Sequence, residues 1–252
     1  MSNYKMDIAY DGTDFYGWQR QKKGKTVQGK IEEVISQYLQ EKITLVGAGR
    51  TDSGVHAEKQ VANFHTKQKI KITEFENSIN KMLGSEISIK NLKLVRNDFS
   101  ARFNAKSREY VYRISTIKNP LQNRYTWNVT YNLNFKLMNR VINLISKQKS
   151  FKKLTKAKID LHNFNLTIYK MKMEKQKNEI HFTIKSSRFL QGMVRGIVGL
   201  LVDVGREKIT YEQVLNLFKG NTIPIMYAPA CGLCLKNVYY SKIKTEIEEN
   251  NE

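Results

Sequence analysis

Gly47-Ala48-Gly49-Arg50-Thr51-Asp52-Ser53-Gly54-Val55-His56-Ala57 is the stretch on which the reading of this chain turns. Three glycines bracket Arg50 and Asp52, so the backbone can turn tightly and come close to a ligand. An arginine and a carboxylate separated by one residue can present a phosphate contact beside a nucleophile. The same spacing suits an ordinary turn in which Asp52 caps backbone N–H groups. Spacing alone favours the turn.

Working outward, the loop sits between regular elements. On its N-terminal side Thr26 caps a helix whose apolar stripe is Val27, Ile31, Val34, Ile35, Tyr38 and Leu39. Before that, Tyr4, Met6, Ile8 and Tyr10 alternate with Lys5, Asp7 and Ala9, which predicts a strand with one buried face. A turn-rich loop, residues 11–25, joins the two. After the glycine loop, residues 61–65 read as a strand. Thr73 and Glu76 have the spacing of a capping box opening a helix to Leu83, and residues 89–95 return as a strand.

The second half repeats this rhythm. Tyr110, Tyr112 and Ile114 alternate as a strand, and residues 137–145 are helical by period. Ile180, Phe182 and Ile184 alternate again, and Phe189 to Val204 predicts a buried apolar helix. Thr210 and Gln213 form a second capping box, for a helix running to Lys219. Strands and helices interleave with short connections, which is α+β. The expected organisation is two similar halves, 1–105 and 106–245, with an acidic tail, 246–252, that frays. With no Pro/Gly/Ser-rich hinge between them, the halves are expected to share one sheet.

Charge narrows the partner. Lys and Arg number 43 against 23 Asp and Glu, a net +20 over 252 residues, and such an excess favours a polyanion because each neutralised phosphate releases counterions. Six lysines (147, 149, 152, 153, 156 and 158) fall in one acid-free run and predict an exposed basic loop that contacts RNA, with Lys152 and Lys153 as candidate RNA-binding residues. No run approaches the roughly 18 to 20 apolar residues that span a membrane, and residues 1–7 lack a signal peptide's apolar stretch, so the expected location is the cytoplasm. Cys231 and Cys234 do not make a disulfide framework.

Gly49 to Ala57 resembles the loop of the TruA family of tRNA pseudouridine synthases, whose pattern is G-R-T-D-x-G-V-H-A. Four further blocks are similar to that family in the same order. They are Tyr10-Asp-Gly-Thr-Asp-Phe-Tyr-Gly-Trp-Gln19, Phe99-Ser-Ala-Arg-Phe103 with Arg108-Glu-Tyr-Val-Tyr112, Phe189-Leu-Gln-Gly-Met-Val-Arg-Gly-Ile-Val-Gly199, and Ala228-Pro-Ala-Cys-Gly-Leu-Cys-Leu235. The resemblance implies the pseudouridine synthase fold, two ferredoxin-like halves forming one mostly antiparallel sheet with a central active-site cleft. It also implies a homodimer acting on tRNA in the anticodon arm, with no cofactor, no nucleotide and no metal.

Residue by residue, Asp52 matches the aspartate that attacks the uridine, and Tyr110 the tyrosine that stacks on the base and can take the C5 proton. Arg195 matches the arginine paired with the catalytic aspartate; its alternative is to reach solvent. Arg50 matches the arginine that displaces the target base. Leu233 matches an apolar contact beneath it. Thr51, His56 and Arg102 lie in matched blocks, as support or contact. Core packing is the competing reading for Tyr110 and Leu233.

This chain departs from the family pattern at Lys149-Ser150-Phe151, where many members carry His-Asp-Phe, and at Leu83-Gly84, where they carry Leu-Pro. The first departure keeps ribosomal RNA open as a substrate. A catalytically silent RNA-binding protein is a further alternative. A zinc nucleobase deaminase would use His56-Ala57-Glu58 and Pro229-Ala-Cys-Gly-Leu-Cys234, but the extra residue after Pro229 and the long separation tell against it. Gly24-Lys25-Thr26 lacks the upstream glycine of a P-loop.

Overall fold

The computed structural model describes residues 1–156 and 163–241. The acidic tail and Lys158 of the basic run lie outside them. The chain divides into two compact units, Met1–Lys106 with the segment from Leu235 onward, and Ser107–Cys234.

The first unit runs β1 (Ser2–Tyr10), α1 (Val27–Leu39), β2 (Val46–Gly47), β3 (His56–Thr66), α2 (Ile72–Leu83) and β4 (Ile87–Val95). Its strands lie in the order β4-β1-β3-β2, all antiparallel, which is the split β-α-β order of ferredoxin-like folds. Helix α1 forms where predicted. The Thr26 hydroxyl accepts from Gly29 N, and Val27, Ile31, Val34, Ile35 and Leu39 are buried. Full burial of each such side chain is worth about 1.5–3 kcal/mol. Tyr38 stays near the surface, with its ring edge-on to Phe75 at 5.4 Å between centroids.

Two expectations for this unit change. Strand β1 is buried on both faces. Tyr4, Met6 and Ile8 are buried as predicted, but so are Asn3, Lys5 and Asp7. Asn3 Nδ2 donates to the carbonyls of Arg96 (3.0 Å) and Phe99 (2.9 Å), so residues 96–101 cover the face expected to meet water. Helix α2 has no capping box: its N-cap is Lys71, without a side-chain bond. Glu76 accepts instead from Leu92 N at 2.5 Å, pinning the helix to β4.

The second unit runs β5 (Ala105–Ser115), β6 (Trp127–Asn128), α3 (Phe135–Ser146), β7 (Ile168–Gln176), β8 (Glu179–Ser186), α4 (Met193–Gly205) and α5 (Tyr211–Phe218), followed by β9 (Leu233–Tyr240), which leads back into the first unit. The order β5-β8-β7 is antiparallel, and β6 adds to β5 in parallel. Apart from the short β6 and the added α5, the β-α-β-β-α sequence repeats that of the first unit, so the α+β reading holds. The Thr210–Gln213 capping box is present in full. Helix α4 begins at Met193, four residues later than predicted, because Gly192 takes a left-handed φ of +69° that closes the preceding turn.

Candidate active site

In the first unit, two sequence blocks some forty residues apart fold into one object. The loop carrying Asp52 is clasped by the block from Tyr10 to Gln19. Tyr10 Oη lies 2.9 Å from Thr51 Oγ1, Trp18 N donates to the Thr51 carbonyl (3.1 Å), and Gly54 N donates to the Phe15 carbonyl (3.3 Å). The turn closes through Val55 N to the Asp52 carbonyl at 3.2 Å. Thr51 and Val55 are buried, whereas Asp52 between them is half-buried and Arg50 is exposed. Anchored neighbours thus hold one carboxylate at the surface of a fixed turn.

Glycine is required twice in this clasp. Gly17 has φ +84°, and a Cβ there would sit 2.6 Å from the Thr51 carbonyl oxygen. At Gly12 a Cβ would lie 2.0 Å from the Val55 carbonyl oxygen. Close approach of two backbones is what these positions supply. Sequence reasoning expected such freedom for the glycines around Asp52 and overlooked it in the partner strip.

His56 is buried at the start of β3. Its Nδ1 is 3.1 Å from Gly12 N, which can only donate, and 3.1 Å from Asp11 Oδ1, which accepts when ionised. With no proton on Nδ1 the ring accepts from Gly12; with a proton there it donates to Asp11. In either form His56 ties the opening block to β3, which makes it a support of the Asp52 loop. Arg102 is exposed and lies 5.5 Å from the Phe103 ring centroid, and Phe103 is itself 81 % exposed.

The second unit holds the other residues. Tyr110 sits on β5 opposite Ile184 of β8, buried, with its ring edge-on to Phe189 at 4.9 Å. Arg195 projects from the first turn of α4. It does not simply reach solvent: Nε donates to the Ala228 carbonyl at 2.7 Å, and Ala228 N donates back to the Arg195 carbonyl at 3.1 Å. The segment before Pro229 can approach because α4 shows it small residues. A Cβ on Gly199 would lie 1.8 Å from the Met226 carbonyl oxygen.

Beyond Ala228, Tyr112 Oη donates to the Pro229 carbonyl at 2.8 Å, and Cys231 Sγ lies 3.5 Å from the Thr126 carbonyl. Burial pushes the Tyr112 phenol and the Cys231 thiol up from their ordinary pKa values, so both are held as neutral donors. Leu233, buried, opens β9. Among the described residues no group of three or more His, Cys, Asp or Glu side chains is arranged to hold a metal ion. No described helix is long and apolar enough to cross a membrane.

The expected basic loop is more ordered than its composition suggests. Lys152–Leu154 form a 3-10 turn, and Phe151 and Leu154 are fully buried beneath it, while Lys147, Lys149, Lys152 and Lys156 are exposed.

A duplicated α+β unit with a carboxylate on a clasped glycine turn is the frame within which known proteins can be compared. The family described as tRNA pseudouridine synthase matches residues 7–104 and 147–241. Tyr110 and α3 fall between the two matched spans. "tRNA pseudouridine synthase A" of Chlorobium phaeovibrioides is 39 % identical, and the alignment covers 95 % of this chain and all of that protein. "tRNA pseudouridine synthase A 2" of Bacillus cereus is 35 % identical, and "tRNA pseudouridine synthase A" of Acetivibrio thermocellus 38 %, with the same coverage. The chain belongs to the tRNA pseudouridine synthase family.

Proposed function

We propose that this protein isomerises uridine to pseudouridine in tRNA, with Asp52 as the nucleophile. Full-length similarity to proteins named tRNA pseudouridine synthase A carries the reading. The half-buried placement of Asp52 on a turn anchored by buried Thr51 and Val55 supports its role.

The reaction adds and removes no net atoms. Asp52 attacks the uridine as the N1–C1′ bond breaks. The freed base turns to offer C5, the C5–C1′ bond forms, and the carboxylate leaves. Tyr110 takes the C5 proton as its own phenolic proton passes on and N1 takes one up, so the balance closes without a redox or group-transfer cofactor. Nucleophilic catalysis of this kind needs a carboxylate that is ionised and can leave again. On the family resemblance, Arg195 is assigned as counter-ion of Asp52, Arg50 as the residue that displaces the base, and Leu233 as an apolar contact beneath it. A stacked uridine must leave its stem to react, so base flipping is part of the scheme. Thr51 and His56 hold the loop, and exposed Arg102 is assigned to RNA contact. We also infer a cytoplasmic homodimer, with tRNA contacting both subunits in the anticodon arm.

Mapping of pseudouridine in an unmodified tRNA transcript and in ribosomal RNA, without added metal or nucleotide, tests this reading. Modification in the anticodon arm is expected. Modification of ribosomal RNA alone, which the Lys149-Ser150-Phe151 departure would favour, keeps the chemistry and overturns the substrate. No pseudouridine in either overturns the enzyme.

A further inference from the structure

Lys5, Lys25, Lys30, Lys59, Lys71 and Lys236 of the first unit have carboxylate partners, as does Lys172 of the second. In the second unit Lys149, Lys152, Lys153 and Lys156 stand within eight residues of one another with no carboxylate partner among the described residues.

A run of like charges normally belongs to a loose, solvated segment, because repulsion disfavours order. Here the backbone is tied at both ends. Leu166 N donates to the Lys149 carbonyl (3.0 Å) and Phe151 N to the Phe164 carbonyl (3.2 Å). Lys156 N and the Thr155 hydroxyl both donate to the Gln191 carbonyl, at 2.9 and 2.8 Å.

Three of the side chains are placed as well. Lys153 Nζ donates to Thr222 Oγ1 at 2.9 Å, Lys152 Nζ lies 5.7 Å from the centroid of the Phe164 ring, and Lys156 Nζ lies 4.5 Å from that of Tyr227. That ring packs over the start of α4: a Cβ on Gly192 or Gly196 would come within 3.2 Å of it, and one on Gly196 within 2.9 Å of the Leu154 carbonyl. The lysine turn and Tyr227 therefore rest on the helical turn from which Arg195 projects.

We propose that Lys152, Lys153, Lys156 and Tyr227 form a docking ridge for RNA phosphodiesters, a positioning element built on the Arg195 end of α4. The proposal rests on the reading of the protein as an RNA-modifying enzyme. Unpaired cations on a fixed backbone are ready to neutralise phosphates without first breaking an ion pair. The half-buried Tyr227 ring adds a face on which an unpaired base can stack. RNA is thus favoured over an acidic peptide, which offers no such base.

The test uses the full-length protein and an unmodified tRNA transcript, with Kd measured across salt concentration. Each lost phosphate contact lowers the salt slope by roughly 0.7–0.9, so K152Q/K153Q/K156Q is expected to lower it by about two. KM should rise in step with Kd while kcat stays within about twofold, and K152R/K153R/K156R should restore the slope. Tyr227→Leu should weaken binding by about tenfold, equally at all salt concentrations. A charge-matched variant of exposed lysines in the first unit, K42Q/K69Q/K81Q, should leave the slope unchanged.

An unchanged slope in the ridge variant, or an equal fall in the control, overturns the proposal. Failure of the enzyme reading looks different: wild-type protein would make no pseudouridine, yet the ridge variant would still lose its salt slope.

Discussion

Arg195 and Ala228 hold each other at two points, through Nε to the Ala228 carbonyl at 2.7 Å and through Ala228 N to the Arg195 carbonyl at 3.1 Å. The cation is therefore oriented by backbone on the second unit before any substrate arrives.

This arrangement separates charge from shape at Arg195. Arg195→Lys keeps the charge but loses the planar guanidinium whose Nε serves Ala228. Turnover should fall by at least about a hundredfold, with stability reduced by about 1–2 kcal/mol for the lost bond to Ala228. Pseudouridine formation and urea unfolding together check this; near-normal turnover would remove Arg195 from the machinery.

Gly17 tests the clasp around Asp52 at a position that touches no substrate in this scheme. Gly17→Ala places a Cβ at φ +84° and 2.6 Å from the Thr51 carbonyl oxygen, so the loop must move. A cost of about 1–3 kcal/mol is expected in urea unfolding, with a larger proportional loss of kcat than of RNA affinity. Equal losses would mean that the clasp serves only stability.

A buried ion cluster on β1 predicts an asymmetric pair of mutants. Lys5 Nζ meets Asp7 Oδ1 at 3.0 Å, while Asn91 Nδ2 (3.0 Å) and Lys59 Nζ (3.4 Å) serve Asp7 Oδ2. Burial alone would raise the Asp7 pKa, but Asn91, Lys5 and Lys59 outweigh it and the net shift is downward. Burial lowers the Lys5 pKa in spite of Asp7. The ionised form of Asp7 is thus favoured by the fold, whereas that of Lys5 is not. Asp7→Asn leaves two cations facing a neutral amide and should cost about 3–5 kcal/mol. Lys5→Met leaves Asp7 with two partners and should cost less. For pH the sign follows from Asp7: its contribution is present above the unfolded carboxylate pKa, near 3.8, and is lost as pH falls through the lower folded value. Urea midpoints of both variants from pH 2 to 7 check this; a milder effect of Asp7→Asn would contradict it.

Cys231 bears on the zinc alternative. Burial raises its thiol pKa, so at neutral pH it is a thiol directed at the Thr126 carbonyl, not a ready metal ligand. Alkylation of Cys231 by iodoacetamide should be slow at pH 7 and accelerate above about pH 9. Fast alkylation at pH 7, or stoichiometric zinc in the purified protein, would revive a metal site.

Much of this fold was legible because burial imposes periods. The stripe of α1 and the alternation of Tyr110, Tyr112 and Ile114 report faces packed against a core, and Thr210 with Gln213 reported a cap that forms. Composition misled where two structures share one pattern. Thr73 and Glu76 have cap spacing, yet Glu76 reaches β4; Phe189 and Leu190 extend the apolar pattern of the helix, yet Gly192 turns the chain first. Strand β7 escaped notice because its residues, among them Tyr169, Lys170, Lys172 and Lys175, leave it little buried pattern. Its hairpin with β8 turns at Lys177 in a left-handed conformation, which a lysine does not advertise in sequence.

The candidate site was legible through order of motifs rather than through any one of them. Nothing local says that the block at Tyr10 embraces the loop at Asp52, since Gly12 and Gly17 read as ordinary turn glycines until their Cβ positions meet Val55 and Thr51. Ala228 is equally silent in sequence, because its contribution is a backbone carbonyl.

The central claim is that the Asp52 carboxylate does the chemistry. Asp52→Asn keeps the shape and removes the charge, so pseudouridine formation in an unmodified tRNA transcript, with Kd measured in parallel, tests it most directly. The account predicts no detectable pseudouridine from the variant and a Kd within a few-fold of wild type. Turnover by Asp52→Asn at a rate near that of wild type, with RNA bound equally well, would contradict it.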